Sequence, residues 1–314
     1  MTAPSAGGRA MQTPFGTVYS TNLTPDPDTG LGQWSYAAFE RAMRHGISRD
    51  GANLYPVFPY TAFARIDDAD MQALYAHLQT LPPVRAEVPR AAMLMPVNLR
   101  PVNAVWNALF HDPAPLTPDP AQSEAWNRGR YLVEGAGHCS ACHTPRNALG
   151  AEDASRAYGG AMVGPDWAPP LAGPEAGARG WDQAGFAAYL RDGHAPGIAS
   201  AGPRMAQVVD SLQGVPDTDI AAMATYLASR ITPADPQPQA EATPAPGPAS
   251  RIFRATCASC HAPGLPGAET AAQVPLTMSA TIRAPSPDAV LAVIRDGIEA
   301  PLSLPLRDMP AFGS

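Results

Sequence analysis

The chain has 314 residues, of which 45% are hydrophobic and only 7% are aromatic, and its formal net charge is −7. All 21 basic residues are arginine and no basic run occurs, which argues against nucleic acid as a partner. No apolar stretch approaches the roughly 18 residues that a membrane span needs, and the length fits two or three domains.

The first predicted domain, residues 1–80, holds two helices. Apolar residues at helical spacing predict one helix from Gly32 to Gly46, which ends in an Arg-x-Gly sequence. The second is predicted from Asp67 to Leu78, with aspartates at its N-terminus. Residues 81–122 are rich in proline and are predicted to form a linker that includes a short helix at Arg100–Phe110.

The second predicted domain, residues 123–231, contains a Cys-x-x-Cys-His sequence. A helix near Trp126–Gly135 leads into this motif, CSACH at 139–143. Two helices follow, at Arg179–Gly193, which again ends in Arg-x-Gly, and at Asp217–Leu227.

A linker with six prolines, residues 232–250, precedes the third predicted domain, residues 251–314. A helix near Arg251–Thr256 leads into a second motif, CASCH at 257–261. A third helix ending in Arg-x-Gly is predicted at Arg283–Gly297, so the three domains look like repeats.

The two Cys-x-x-Cys-His motifs use all four cysteines of the chain. A structural zinc site would need two cysteine pairs about 15 to 20 residues apart, whereas these lie 118 positions apart. A redox dithiol is expected once and needs no histidine after it. The spacing favours covalent haem c, in which two thiols one helical turn apart bond the vinyl groups and the histidine binds the iron.

The arginine of each Arg-x-Gly sequence gives a common reference point in the repeats. The residues 14 positions further on are Phe58, Met205 and Met309, and the two methionines are predicted to lie in proline-flanked loops downstream of a haem motif. A thioether there would complete a His/Met iron and raise its potential. Other side chains could instead bind the iron: Met162, Met278 and His194.

The first and third repeats look incomplete. No Cys-x-x-Cys-His precedes the first repeat, and the chain begins with Met1-Thr2-Ala3-Pro4, which resembles the sequence after His143. Only five residues follow Met309, where the other repeats continue into a helix. The N-terminal residues also have no apolar signal-peptide core. We expect truncation at both ends, with a further haem motif just before residue 1.

The chain resembles the trihaem cytochrome c subunits of periplasmic, membrane-associated bacterial dehydrogenases. The resemblance covers nearly the whole chain and rests on these segments: PFGTVYSTNLTPD, LYPVFPYTAF, WNRGRYLVEGAGHCSACHTPRN, CASCH and DMPAF. It implies a mainly α fold of tandem class I-like cytochrome c domains joined by proline-rich linkers. It also implies electron transfer to quinone or another respiratory-chain acceptor from a catalytic subunit that carries pyrroloquinoline quinone, flavin or molybdenum.

By position, the resemblance assigns four residues to each of two haems: Cys139, Cys142, His143 and Met205 to one, and Cys257, Cys260, His261 and Met309 to the other. Backbone carbonyls near Pro169 or Pro170, and near Pro275, are expected to orient the two histidines. The first domain receives no ligands, because Phe58 stands where the others have methionine.

An enzyme is the alternative class, and a dihaem c-type peroxidase is its nearest example. Such an enzyme needs one open or displaceable iron position. No Ser/His/Asp arrangement, paired-carboxylate motif or nucleotide-binding fingerprint stands out. We therefore expect a non-catalytic electron-transfer subunit.

Overall fold

The computed structural model describes residues 5–235, 247–262, 274–276, 279–301, 303–304, 306 and 308–313. The described chain is mainly helical, as predicted. Its α-helices are α1 (Tyr36–His45), α2 (Tyr60–Phe63), α3 (Asp68–Thr80), α4 (Arg100–Phe110), α5 (Glu124–Tyr131), α6 (Ser140–His143), α7 (Gly173–Ala178), α8 (Gln183–Asp192), α9 (Pro203–Ser211), α10 (Asp217–Ser229), α11 (Pro248–Ile252), α12 (Ala258–His261) and α13 (Asp288–Asp296).

Short helices of other types and short strands complete the described elements. Two π-helices span Leu132–Ala136 and Phe253–Cys257, and two 3-10 helices span Ala154–Arg156 and Thr281–Arg283. The strands are β1 (Ala10–Thr13), β2 (Gly16–Tyr19), β3 (Ala92–Met93), β4 (Ala161–Val163), β5 (Asp166–Ala168), β6 (His194–Ala195) and β7 (Ala199–Ser200). They form an antiparallel sheet β1-β2-β3, in which Ala10 pairs with Tyr19, and two hairpins, β4-β5 and β6-β7.

The chain divides into two compact units. The first comprises Met1–Asp119 with Val133–His138, and the second comprises Pro120–Leu132 with Cys139–Ser314. Both Cys-x-x-Cys-His motifs thus belong to the second unit. In the part of the chain that the structure describes, no helix is both long and apolar enough to cross a membrane.

The Arg-x-Gly sequences end helices α1, α8 and α13, as predicted. Gly46 and Gly193 adopt left-handed backbone conformations with φ of 63° and 72°, and their N–H groups bond the last carbonyls of α1 and α8. Gly297 also has a positive φ, of 71°. Its missing Cβ has a second role, because a Cβ there would lie 2.6 Å from the carbonyl oxygen of Met309.

The arginines of the first two Arg-x-Gly sequences make matching contacts, as we expect of repeated segments. Arg44 donates to the carbonyls of Ala64 and Ile66 at 2.9 and 2.8 Å and pairs with Asp68, the first residue of α3, at 2.6 Å. Arg191 donates to the carbonyl of Val215 at 2.8 Å and pairs with Asp217, the first residue of α10, at 2.6 Å. Each arginine therefore fixes the loop before the next helix.

The predicted helix in the first linker packs within the first unit. The Tyr60 hydroxyl donates to the side-chain oxygen of Asn107 in α4 at 2.5 Å. Arg100 donates to the carbonyl of Asn53 at 2.7 Å, and its guanidinium lies 4.1 Å from the ring centroid of Tyr55. Helix α4 is therefore held to this unit at both of its ends.

Helices α5 and α10 cross at close range in the second unit. The Trp126 ring lies edge-on to Tyr226 with 5.1 Å between centroids, and Arg128 forms two hydrogen bonds with Asp219 at 2.9 and 2.8 Å. The crossing passes over Gly129, where an added Cβ would lie 1.9 Å from the carbonyl oxygen of Ala222. Only glycine allows this approach.

We expect Gly129→Ala to lower the free energy of unfolding of the second unit by about 1–3 kcal/mol, because the methyl group forces the two helices apart. Alanine ordinarily stabilises a helix relative to glycine, so the sign of the change is diagnostic. Thermal unfolding followed by circular dichroism measures it. Gly214→Ala is the matched control, since nothing lies within 4 Å of a Cβ at Gly214; equal stability of both variants would contradict the crossing.

Candidate haem sites

Each Cys-x-x-Cys-His motif forms one helical turn that follows a π-helix. The π-helix Leu132–Ala136 leads towards α6, and Phe253–Cys257 continues directly into α12. Residues three apart lie on one face of a helical turn, so each cysteine pair faces one side. The first cysteine of each pair is half-buried and the second is exposed, in both motifs.

The histidine of each motif is oriented by a backbone carbonyl. His143 is buried, and its Nδ1 lies 2.7 Å from the carbonyl oxygen of Pro169, which confirms one predicted contact. The Nδ1 of His261 lies 2.7 Å from the carbonyl oxygen of Val274, the neighbour of Pro275. A carbonyl only accepts, so Nδ1 donates the proton and Nε2 keeps its lone pair for a metal.

The loop that follows the first motif returns to support His143. The N–H of Gly160 donates to the His143 carbonyl at 2.8 Å, and the N–H of Tyr158 donates to the buried Thr144 hydroxyl at 3.0 Å. Gly160 has a φ of 81°, and a Cβ there would lie 2.8 Å from Cδ of Pro170. The backbone therefore passes close to the histidine only because this residue is glycine.

The charge states of the first motif suit ligation of a metal by neutral imidazole. Burial lowers the pKa of His143, although its bond to Pro169 opposes the shift, so the ring is neutral at pH 7. Burial raises the pKa of the Cys139 thiol to about 12, and desolvation of the sulfur raises the pKa of Cys142 although that residue as a whole is exposed. Both cysteines are thus protonated thiols near neutral pH.

The donors do not combine into a zinc centre. Among the residues that the structure describes, which include all four cysteines, no three His, Cys, Asp or Glu side chains converge in a way that could hold a metal ion. Each motif instead stands by itself, with its own histidine and its own carbonyl.

Met205 lies in the first turn of helix α9 and is partly buried. It packs on a cluster of buried apolar side chains, together with Tyr189 and Leu306: Ala201, Ala206, Val209 and Leu304. The prediction that Met205 lies in a loop is wrong, because α9 begins at Pro203. Proline suits the first position of a helix, since the N–H it lacks would have no partner within the helix and its fixed φ is already helical.

Met309 lies in an extended segment. Its N–H and carbonyl bond those of Ile298 at 2.9 and 2.8 Å, so this backbone is fixed beside Gly297. The N–H groups of Phe312 and Gly313 then bond carbonyls of α13 at 2.9 and 3.0 Å. The shared 14-residue spacing therefore places Met205 and Met309 in different local structures.

The alternative ligands occupy other positions. Met162 is 38% exposed and lies opposite Trp167 in the β4-β5 hairpin. His194 is buried in β6, where its Nδ1 lies 2.7 Å from the Ser200 hydroxyl. Met278 lies outside the described residues. In the first unit, Phe58 contacts the ring of Phe63 with 5.4 Å between centroids.

The motifs, their helical turns and their carbonyl-bound histidines fit covalent haem and define a protein of the c-type cytochrome class. The family described as "Cytochrome c" matches residues 127–230, and the one described as "Cytochrome C oxidase, cbb3-type, subunit III" matches residues 244–314. These two matches correspond to the two motif-bearing repeats.

Three similar proteins indicate which kind of c-type cytochrome the chain resembles. The chain is 45% identical to a subunit of the nicotinate dehydrogenase of Pseudomonas putida, over 98% of the chain and 26% of that protein. It is 34% identical to the fructose dehydrogenase cytochrome subunit of Gluconobacter japonicus, over 98% and 69%. It is 40% identical to a protein named "Diheme cytochrome c-type" from Cereibacter sphaeroides, over 71% and 74%.

The chain belongs to the family of cytochrome c subunits of bacterial dehydrogenases. Its fold is a tandem of mainly helical cytochrome c domains, and its cofactor is haem c, for which four cysteines provide two covalent sites. Bound haem takes up and releases one electron at a time, and the protein functions in electron transfer. The chain spans about a quarter of the nicotinate dehydrogenase subunit that it matches.

One feature of the second repeat was not predicted, namely that Nε of Arg179 is buried without a hydrogen-bond partner. Arg179 and Arg283 both stand 12 positions before the arginine of an Arg-x-Gly sequence. That repetition was the available signal.

Proposed function

We propose that the chain accepts electrons from the catalytic subunit of a periplasmic dehydrogenase and passes them through two haems to quinone or another membrane acceptor. The observation that carries this proposal is the pair of matching sites, each with a histidine bonded to a carbonyl at 2.7 Å. A catalytic subunit with pyrroloquinoline quinone, flavin or molybdenum is the partner, and the complex associates with the membrane surface.

We also propose Met205 and Met309 as the distal iron ligands. With both irons saturated by histidine and methionine, no iron position remains for a substrate, which favours an electron carrier over a peroxidase. The first unit is then a third domain of the same kind, because Arg44 there repeats the contacts of Arg191. The proposed domains keep the predicted boundaries at residues 80, 122, 231 and 250, although the first compact unit continues beyond residue 80 to Asp119.

The experiment is steady-state reduction of a water-soluble quinone by the cognate dehydrogenase and its substrate. We expect the rate to depend on added chain that carries both haems. The control is chain in which the cysteines of one haem motif have been replaced by alanine. We expect it to give only a small part of the rate that the chain with both haems gives. A quinone reduction rate that is the same with and without the chain would contradict the proposed route.

Apolar contact is the proposed mode of association with the catalytic subunit. The chain has no lysine, and it has a net charge of −7, so we expect docking to depend on apolar contact more than on a ring of basic residues. The first unit exposes large apolar side chains near α4: Leu94, Met95, Leu99, Val105 and Leu109. An exposed apolar patch of this kind is typical of protein interfaces.

We expect the dissociation constant for the catalytic subunit to rise only modestly, by less than about tenfold, between low and physiological salt, because exposed charges contribute little. The double variant Val105→Asp with Leu109→Asp should weaken binding much more. Leu149→Asp is the control, since Leu149 is 59% exposed in the other unit. Surface plasmon resonance measures the dissociation constant at each salt concentration and for each variant. A steep salt dependence, together with a double variant that binds as tightly as the wild type, would contradict apolar docking.

A further inference from the structure

A leucine of the third repeat is buried against the second repeat. Leu304 belongs to the cluster of buried apolar side chains on which Met205 packs, and Leu306 packs on the same cluster. The other buried members of the cluster come from the second repeat: Ala201, Ala206 and Val209. Both repeats belong to the second compact unit, so the contact lies within that unit.

The contact between the two repeats extends to the end of helix α8 and along helix α9. A Cβ added at Gly193 would lie 3.2 Å from Cδ1 of Leu306 and 3.6 Å from Cδ1 of Leu304. The Ser303 hydroxyl donates to the carboxylate of Asp210 in α9. Apolar packing and this hydrogen bond together hold the third repeat on the helix that carries the proposed distal ligand.

The segment that supplies these side chains, residues 298–309, is closed by its own contacts. Ile298 pairs with Met309, and the N–H of Ala300 donates to the carboxylate of Asp308 at 2.8 Å. Both leucines lie between these pairs in the sequence. The segment therefore ends at the proposed distal ligand of one haem and packs beside the proposed distal ligand of the other.

The three repeats differ at the position of Leu304. Leu304, Ser200 and Asn53 each stand nine positions after the arginine of an Arg-x-Gly sequence. The first two repeats thus have a polar residue where the third has leucine. An apolar residue at a position that is polar in the other repeats fits burial against a neighbouring domain.

The third repeat also contacts the element that leads to the histidine of the same haem site. Helix α13 contacts strand β5, and β5 ends at Ala168, immediately before Pro169. The carbonyl of Pro169 is the partner of His143. The third repeat therefore touches the supports of both proposed axial ligands of the second repeat.

We propose that Leu304 is a positioning residue for Met205, which it keeps at the iron bound by His143. An apolar cover at this place excludes water from the iron–thioether bond, and a dry pocket favours the reduced state. Leu306 extends the same cover. The haem site of the second repeat is thus complete only with the third repeat in place. The inference rests on the proposal that Met205 binds the iron, and it does not depend on the partner dehydrogenase.

Cyanide binding to the ferric holoprotein tests this role, because cyanide must displace the distal methionine. Denaturing mass spectrometry first shows that each variant carries two haems, and Met205→Ala and Met309→Ala then identify the kinetic phase of each haem. We expect Leu304→Ser to speed cyanide binding at the Met205 haem by about tenfold or more, because truncating a buried leucine destabilises the closed pocket. The charge-transfer absorption and the potential of that haem should fall as well, with a smaller change at the other haem.

Three further variants separate positioning from general stability. Leu291→Ser is the matched control, since Leu291 lies in the same repeat and is 59% exposed, and its cyanide kinetics should equal those of the wild type. Leu304→Ile keeps the apolar volume and should keep most of the wild-type behaviour. Leu304→Val removes one methylene group and should give a smaller effect of the same sign, which provides the test if the serine variant matures poorly.

The outcomes distinguish this inference from the ligand assignment on which it rests. Faster binding in Met205→Ala, with wild-type kinetics in Leu304→Ser and Leu304→Val, would overturn the positioning role and leave the ligand assignment intact. Unchanged binding in Met205→Ala would contradict the ligand assignment and the positioning role with it. A lower unfolding temperature of Leu304→Ser without any change in cyanide kinetics would show that the leucine only joins the two repeats, and would also overturn the proposal.

Discussion

Replacing Cys139 and Cys142 with alanine is expected to remove one of two covalent haems, and replacing Cys257 and Cys260 is expected to remove the other. Each pair lies on a single helical turn in front of a histidine that is already oriented by a carbonyl. Denaturing mass spectrometry of protein made in a host competent for cytochrome c maturation counts the haems directly.

The controls for this count lie within the motifs themselves. Ser140→Ala and Ser259→Ala change neighbouring residues without touching a thiol, and both variants should keep two haems. Zinc in place of iron, or two haems retained in either cysteine variant, would show that the motifs have another role.

Replacing Met205 or Met309 with alanine is expected to remove about half of the sulfur-to-iron charge-transfer absorption and to lower the potential of one haem, because a thioether stabilises ferrous iron. Visible absorption and potentiometric titration follow the two effects. The expected loss belongs to the haem bound by Cys139 and Cys142 for Met205→Ala, and to the haem bound by Cys257 and Cys260 for Met309→Ala.

Met162→Ala is the matched control for both methionine variants. Met162 lies on a hairpin in the second repeat and is 38% exposed. We expect its spectrum to equal that of the wild type. An unchanged spectrum in Met205→Ala, with a loss in Met162→Ala, would transfer the ligand role and contradict the assignment from repeat spacing.

Local sequence signals were sufficient for most helices. The helix predicted at Arg100–Phe110 has those bounds in the structure, and the three glycines after Arg-x end helices as expected. Such signals act over a few residues, through helical periodicity and the preference of glycine for positive φ. The carbonyl partner of His143 was also predictable, because the resemblance supplied its position.

Features that depend on distant parts of the chain were not predictable. Helix α9 was missed because Pro203 was taken as a loop residue, although proline also suits the first position of a helix. The approach of α5 to α10 at Gly129 and the burial of Arg179 Nε without a hydrogen-bond partner arise from tertiary packing. No local pattern encodes which side chains will lack a partner after folding.

The central claim is that the chain carries electrons and does not itself oxidise a substrate. The most direct measurement follows the visible absorption of the purified, oxidised holoprotein after alcohols, sugars or aldehydes are added, first alone and then with the cognate dehydrogenase. We expect both haems to stay oxidised with substrate alone and to become reduced when the dehydrogenase is present. Rapid reduction of the isolated chain by any of these substrates would contradict the account and indicate an enzyme.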